Sequence, residues 1–163
     1  DLVELSGGSY EAPAMQGQAR DGSTLAREAY FVDFARDIQT VAHMPVMVTG
    51  GVRRLPIAEA VIQSGVDMVG IGTALALDPN LPRDWQQGKD SAPQLPPISW
   101  KNKAIAALAA MARVKYQLRK LSQHKKPDLT VSPLRALIVQ QVGMAWRTRQ
   151  YRRWVGSKAF SRS

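Results

Sequence analysis

The sequence predicts an α/β protein built from strand–helix units on a parallel sheet. Three observations carry that expectation. Apolar runs at 2–5, 45–49 and 67–71 alternate with stretches of helical period. Each run closes on glycine, at Gly7-Gly8, Gly50-Gly51 and Gly72. The connections are short after the first long loop, as right-handed βαβ units require.

The elements follow in order. Leu2 to Leu5 reads as a strand, and a polar loop runs from Ser9 to about Thr24. Leu25 to Thr40 reads as a helix, because Phe31, Phe34, Ala35 and Ile38 recur at spacings of three and four. Ser23 or Thr24 is its expected N-cap. Pro45 to Thr49 is continuously apolar, as in a strand buried on both faces. Leu55 to Ser64 is a helix with Pro56 near its start and Gly65 just past its end. Its expected inward residues are Ala58, Val61 and Ile62. Asp67 to Ile71 is the next strand, and a short helix follows from Thr73, ending before Asp78-Pro79.

Composition divides the chain. Residues 1–97 carry 7 Lys/Arg and 12 Asp/Glu, a net −5, whereas 98–163 carry 15 Lys/Arg and 1 Asp, a net +14. Such a change marks a boundary. The expected organisation is an α/β part at 1–88, a Pro-rich linker at 89–97 and a basic helical part at 98–163. Two helices are expected in the basic part. In Lys101 to Leu121 the apolar face is Ile105, Leu108, Met111, Ala112, Val114, Leu118 and Leu121; in Pro133 to Val155 it is Leu134, Leu137, Ile138, Val142 and Ala145. The absence of cysteine excludes disulfides, thiolate metal sites and cysteine catalysis. No apolar run reaches the length of a membrane span, and a cytoplasmic location is expected. The chain opens directly on a strand pattern, which suggests the C-terminal part of something longer.

The glycines suggest chemistry. Glycine after a buried strand lets backbone N–H groups approach a ligand closely. Gly50, Gly51, Gly72 and Thr73 fall at the carboxyl ends of neighbouring strands, the edge where α/β folds bind ligands. A phosphate group suits that edge, with Arg53 or Arg54 adding charge and the short helix from Thr73 aiming its N-terminus at the anion.

Several motifs resemble one family. Met47-Val48-Thr49-Gly50-Gly51-Val52-Arg53, Asp67-Met68-Val69-Gly70-Ile71-Gly72 and Asp78-Pro79-Asn80-Leu81-Pro82 are similar to the Old Yellow Enzyme family, as are Glu4 to Pro13 and Arg27 to Phe31. The resemblance spans residues 1–88. It implies strands six to eight of a TIM (β/α)8 barrel, followed by a basic two-helix extension. It implies FMN, with its phosphate on Gly50, Gly51, Arg53, Gly72 and Thr73, and NAD(P)H as reductant. The implied reaction is hydride transfer through FMN to an activated, electrophilic alkene or similar acceptor, with the chain inactive alone because the family's catalytic residues lie on the first five strands. Members carry Arg where this chain has Thr73. Tyr10 would face the substrate or merely pack on its own loop. The alternative from another class is a non-catalytic phosphate-ligand or interaction module.

The remaining candidates are plain. His43 and His124 stand alone in sequence and read as surface residues, and no metal-ligand spacing occurs. Glu4 would point into a barrel interior. Arg147, Arg149, Arg152 and Arg153 interleave with Trp146, Tyr151 and Trp154. An anionic membrane, contacted through residues 134–155, fits this cluster, as does an acidic protein surface or a solvated helix face. Nucleic acid is the least expected partner.

Overall fold

The computed structural model describes residues 1–6, 35 and 37–160, with side chains to residue 156. Strands β1 (Val3–Ser6), β2 (Val46–Thr49) and β3 (Met68–Gly70) form a parallel sheet in that order. Helix α1 (Leu55–Gln63) joins β2 to β3, and the short helices α2 (Thr73–Leu77) and α3 (Leu81–Gln86) follow. Helices α4 (Lys103–Leu121) and α5 (Pro133–Phe160) complete the chain. It divides into two compact units, Asp1–Pro97 and Ile98–Ser163. Residues 89–97, without regular structure, lie in the first.

Register explains the first unit. Leu5, Val48 and Val69 align across the three strands, and Val48 is buried. Side chains alternate across a strand, so these residues share one face. That face packs with Ala35, Val52, Ala58, Val61 and Val66. Ala35 is helical, as are Asp37–Gln39; the rest of the helix expected at 25–40 lies outside the described residues. The opposite face carries Glu4, Met47 and Met68, aligned in the same way. Glu4 and Met68 are exposed, and Met47 is only half-buried. The expectation of a strand covered on both faces therefore holds on one face only.

In α1, Ile57 takes the place expected of Ile62. Ile57 packs on the core and Ile62 is exposed. At 100° per residue, Ile57, Ala58 and Val61 fall on one stripe, and Ile62 turns past it. Ser64 is the C-cap, with Gly65 at a positive φ beyond it. Asp67 ties the lower edge of the sheet: its Oδ2 accepts from the Val46 N–H at 2.9 Å. Helix α3 was not expected. Asp78 initiates it, its Oδ1 accepting from the Asn80 N–H and its carbonyl from the Leu81 N–H. Leu81 is fully buried. The Trp85 indole N–H donates to the Ser91 carbonyl at 2.9 Å, tying the proline-rich segment back onto α3.

The second unit keeps Ala112 of one expected helix face and Leu137 of the other, and corrects most of the rest. In α4 the buried residues are Ala106, Ala109, Ala112, Arg113 and Gln117. Ile105, Leu108, Met111 and Leu118 are exposed instead. The reason is the returning segment 122–132. Gln117 Nε2 donates to the Asp128 carbonyl at 2.8 Å, and the Asp128 N–H donates to Gln117 Oε1 at 2.7 Å. Arg113 donates to the Leu129 carbonyl, 3.4 Å away. A segment without its own ladder needs polar partners for its backbone, and the polar side of α4 supplies them. The chain thus runs back along α4, and α5 starts beside Ala112, where Val131 and Ala136 complete a small core. Close approach favours alanine there. In α5 only Ala136 and Leu137 join that core; Leu134, Ile138 and Val142 face solvent.

The helix ends follow familiar chemistry. Asn102 caps α4 by accepting from the Ile105 N–H at 3.1 Å. Ser132 Oγ accepts from the Arg135 N–H at 3.2 Å, with Pro133 opening α5. Beyond α4, the Lys125 N–H bonds to the Lys120 carbonyl and the His124 N–H to the Leu121 carbonyl. This is the Schellman pattern, with His124 at φ 56° in the place glycine usually fills.

Candidate functional site

The carboxyl edge of the sheet is set by register. Ser6 aligns with Thr49, and Thr49 with Gly70, so β1, β2 and β3 end level with one another. The loops that leave this edge carry the glycines singled out in the sequence. Gly50 has φ 120° and Gly51 φ 73°, values that L side chains rarely adopt. The backbone therefore turns sharply straight off the end of β2. Around Gly51 a Cβ would meet nothing within 4 Å, so the turn borders open space.

On the neighbouring strand, Gly72 is the N-cap of α2 and Thr73 its first residue. Both are exposed, and a Cβ on Gly72 would also meet nothing within 4 Å. Gly72 has no side chain to cap the helix, which leaves the first N–H groups of α2 directed outward. The structure thus sets Gly50 and Gly51 on one strand end, and Gly72 and Thr73 on the next. Arg53 is half-buried in the loop between β2 and α1. Residues 1–97 carry net negative charge, so attraction of an anion here depends on these local N–H groups and on Arg53, not on the overall field.

Two residues at this edge escaped the sequence reading. Ser6 and Thr49 are the last residues of their strands and share the face of Glu4 and Met47, on which no helix packs among the described residues. The Thr49 hydroxyl is buried and makes no hydrogen bond. It packs directly on Gly70, where an added Cβ would collide with it. Strand parity is the signal that would have found them: Thr49 is two residues beyond Met47 and must share its face.

Other expectations resolve simply. Glu4 is exposed, on the face opposite the core. Tyr10 lies outside the described residues. His43 and His124 are on the surface. Among the described residues no group of His, Asp or Glu is arranged to hold a metal ion. Among the same residues no helix is long and apolar enough to cross a membrane.

The family model described as histidine biosynthesis protein matches residues 21–107, just over half of the chain. The match covers β2, α1, β3, α2 and α3 and runs into the first turn of α4. It overturns the resemblance to the Old Yellow Enzyme family. The FMN-dependent, NAD(P)H-consuming reduction of an alkene falls with that resemblance, as does the oxidoreductase reading as a whole. The physical reason lies in which residues carried it. Glycine-closed strands at a sheet edge serve phosphate binding in barrels of quite different chemistry. The motifs therefore report a backbone geometry and say nothing of a flavin. No curated protein matches the chain. The matched family is one of TIM-barrel enzymes, and its pattern falls on the strand–helix units whose glycine-lined edge has just been described: the chain belongs to the histidine biosynthesis protein family.

Proposed function

We propose that residues 1–97 form the strand-six-to-eight part of a (β/α)8 barrel, with α4 and α5 as an extension beyond it. In this reading the carboxyl edge holds the phosphate group of a phosphorylated substrate, for isomerase- or cyclase-type chemistry in histidine biosynthesis. The observation that carries the reading is the placing of Gly50-Gly51 and Gly72-Thr73 at level ends of hydrogen-bonded neighbouring strands. Phosphate sites of barrel enzymes are built from such a pair of loops and a short helix. The sheet supports the barrel part of the reading. Its core face packs on α1, while the face of Glu4, Met47 and Met68 is left uncovered. A barrel wall has that asymmetry, with helices outside and an inner face filled by other strands.

Within this reading each residue has a defined task. The positive-φ backbone of Gly50 and Gly51 brings N–H groups to one side of the phosphate. The first turn of α2 supplies N–H groups from the other, with the Thr73 hydroxyl as a further donor. Arg53 contributes charge. None of these groups transfers a proton to carbon or nitrogen; they hold the substrate in place.

Gly72→Ala tests the cradle. Gly72 has φ −104° and open space around it, so alanine there should fold normally. Its methyl group would occupy the space through which the backbone meets the phosphate. Titration of the chain with ribose 5-phosphate, followed by 31P NMR, should show binding weakened by about tenfold or more, the worth of one or two charge-assisted hydrogen bonds. Equal affinity of the variant and the parent would sink the reading.

A further inference from the structure

Helix α5 carries a surface that the phosphate edge does not explain. From Met144 to Gly156 every residue is exposed. Among them are Trp146 at 61 %, Tyr151 at 63 % and Trp154 at 54 % exposure. Arg147, Arg149, Arg152 and Arg153 interleave with them, and no Asp or Glu occurs anywhere in α5. The Tyr151 and Trp154 rings lie 6.0 Å apart. Arg149 and Arg153 stand four residues apart on one face, a like-charge spacing that destabilises a helix in water.

The same helix bears an apolar ridge. Leu134, Ile138, Val142 and Trp146 follow one another at intervals of four, and all four are exposed. At 100° per residue Leu134, Ile138 and Val142 lie on the side away from Ala136 and Gly143, whereas Trp146 turns toward α4 and lines the groove between the two helices. Those two residues face α4: Ala136 packs against Ala112, and Gly143 adjoins Arg119. Leu134, Ile138 and Val142 are therefore not a seam left over from the helix pair. Arg149, Arg152 and Arg153 prolong their line toward the C-terminus, so this side of α5 is aliphatic, then cationic, while Tyr151 and Trp154 project from the other side.

We infer that this side of α5 docks on an anionic phospholipid surface. The inference is independent of the phosphate reading of the first unit. Charge complementarity names the sign of the partner, since residues 98–163 carry 15 Lys/Arg against a single Asp. That Asp is Asp128, which is occupied with the Thr130 N–H and hydroxyl. A second copy of the helix would bring like charges together and is disfavoured. The apolar ridge selects among anionic partners. Nucleic-acid phosphates would satisfy the arginines and leave Leu134, Ile138 and Val142 in water. A lipid surface accepts both classes on this side together: arginine at the phosphates, and Leu, Ile and Val at the acyl boundary. The helix lies on the membrane and does not cross it.

The test uses the full chain and vesicles of phosphatidylcholine, with and without an equal part of phosphatidylglycerol. The chain should sediment with the anionic vesicles and stay in solution with the neutral ones. Added salt should weaken the binding. Replacing Arg149, Arg152 and Arg153 together by Gln should lower the partition coefficient on the order of 100-fold, since each basic residue near such a surface contributes about a fivefold factor. Replacing the three by Lys should leave it within a few-fold. Ile138→Ser with Val142→Ser should lower it about tenfold, with helix content by circular dichroism unchanged. Equal binding to neutral and anionic vesicles would overturn the inference, and so would no binding at low salt. Tight binding to duplex DNA that the Gln variant loses, with no sedimentation on anionic vesicles, would assign the surface to nucleic acid instead.

Discussion

Gly70→Ala probes the closest contact at the sheet edge. Gly70 pairs directly with Thr49 across β2 and β3. A Cβ on Gly70 would run into the Thr49 hydroxyl and stand 3.0 Å from its Cβ and 3.1 Å from its Cγ2. Rotation of Thr49 about χ1 exchanges one branch for the other and leaves its Cβ in place, so the strands must move apart. Overpacking of this kind costs about 1–3 kcal/mol. Alanine recovers about 0.5 kcal/mol by restricting the unfolded chain. The net expectation is about 1.5 kcal/mol, or a roughly tenfold rise in opening of β3. Hydrogen exchange read by mass spectrometry on a peptide spanning residues 66–72 measures this directly. The companion variant is Thr49→Ala. The Thr49 hydroxyl is buried without a hydrogen bond, so its loss alone should cost under about 1 kcal/mol. In the double variant most of the Gly70→Ala cost should disappear, giving a coupling of about 1 kcal/mol or more. Parental exchange rates in Gly70→Ala, or strictly additive effects in the double variant, would refute the contact as the cause.

Three predictions concern the second unit. Gln117→Leu removes both partners of the Asp128 backbone and should destabilise the α4–α5 unit by about 2–4 kcal/mol, seen as a lower urea midpoint by circular dichroism; a change within 0.5 kcal/mol, as at an ordinary surface site, would contradict the role of the amide. His124→Gly relieves a side chain held at φ 56° and should stabilise by about 0.5–1 kcal/mol, measured in the same titration. The Thr130 hydroxyl bond, at 2.7 Å, is the main reason that the Asp128 carboxyl is held below its ordinary value of 3.8. A carboxyl held low in the folded state contributes stability above pH 3.8 that is lost as the pH falls through its depressed value. Thermal melts of Asp128→Asn should accordingly show a shallower acid limb below about pH 4. The difference should be small, because the group is on the surface.

The contrast between the two units shows what can be read from the chain before it folds. The boundaries of α1 and α2, and the glycines that close β2, are local matters. A Pro near a helix start, a Gly past its end and an apolar run of strand length act on their own neighbours. The glycine-lined edge was legible for the same reason, since it is made of backbone at strand ends. Thr49 was not, because its importance arises from Gly70 opposite, 21 residues later. The family was misread because the motifs that carried the resemblance are shared by phosphate-binding barrels at large. They encode a turn, whereas the reaction is encoded elsewhere.

The sequence by itself determined the order of the strands and of α1, α2, α4 and α5, the placing of glycine at the strand ends, and the concentration of positive charge beyond residue 97. Each depends on residues a few positions apart, or on a sum over them. Only the tertiary structure decided which faces are buried. Large apolar residues such as Met111, Leu118 and Ile138 were expected inside, yet Ala136, Arg113 and Gln117 hold that place. Two helices and a returning segment meet there. Close backbone approach selects small side chains, and a segment outside any ladder needs polar ones. Helical period ranks the faces of a helix by hydrophobicity; it cannot say what comes to lie against them.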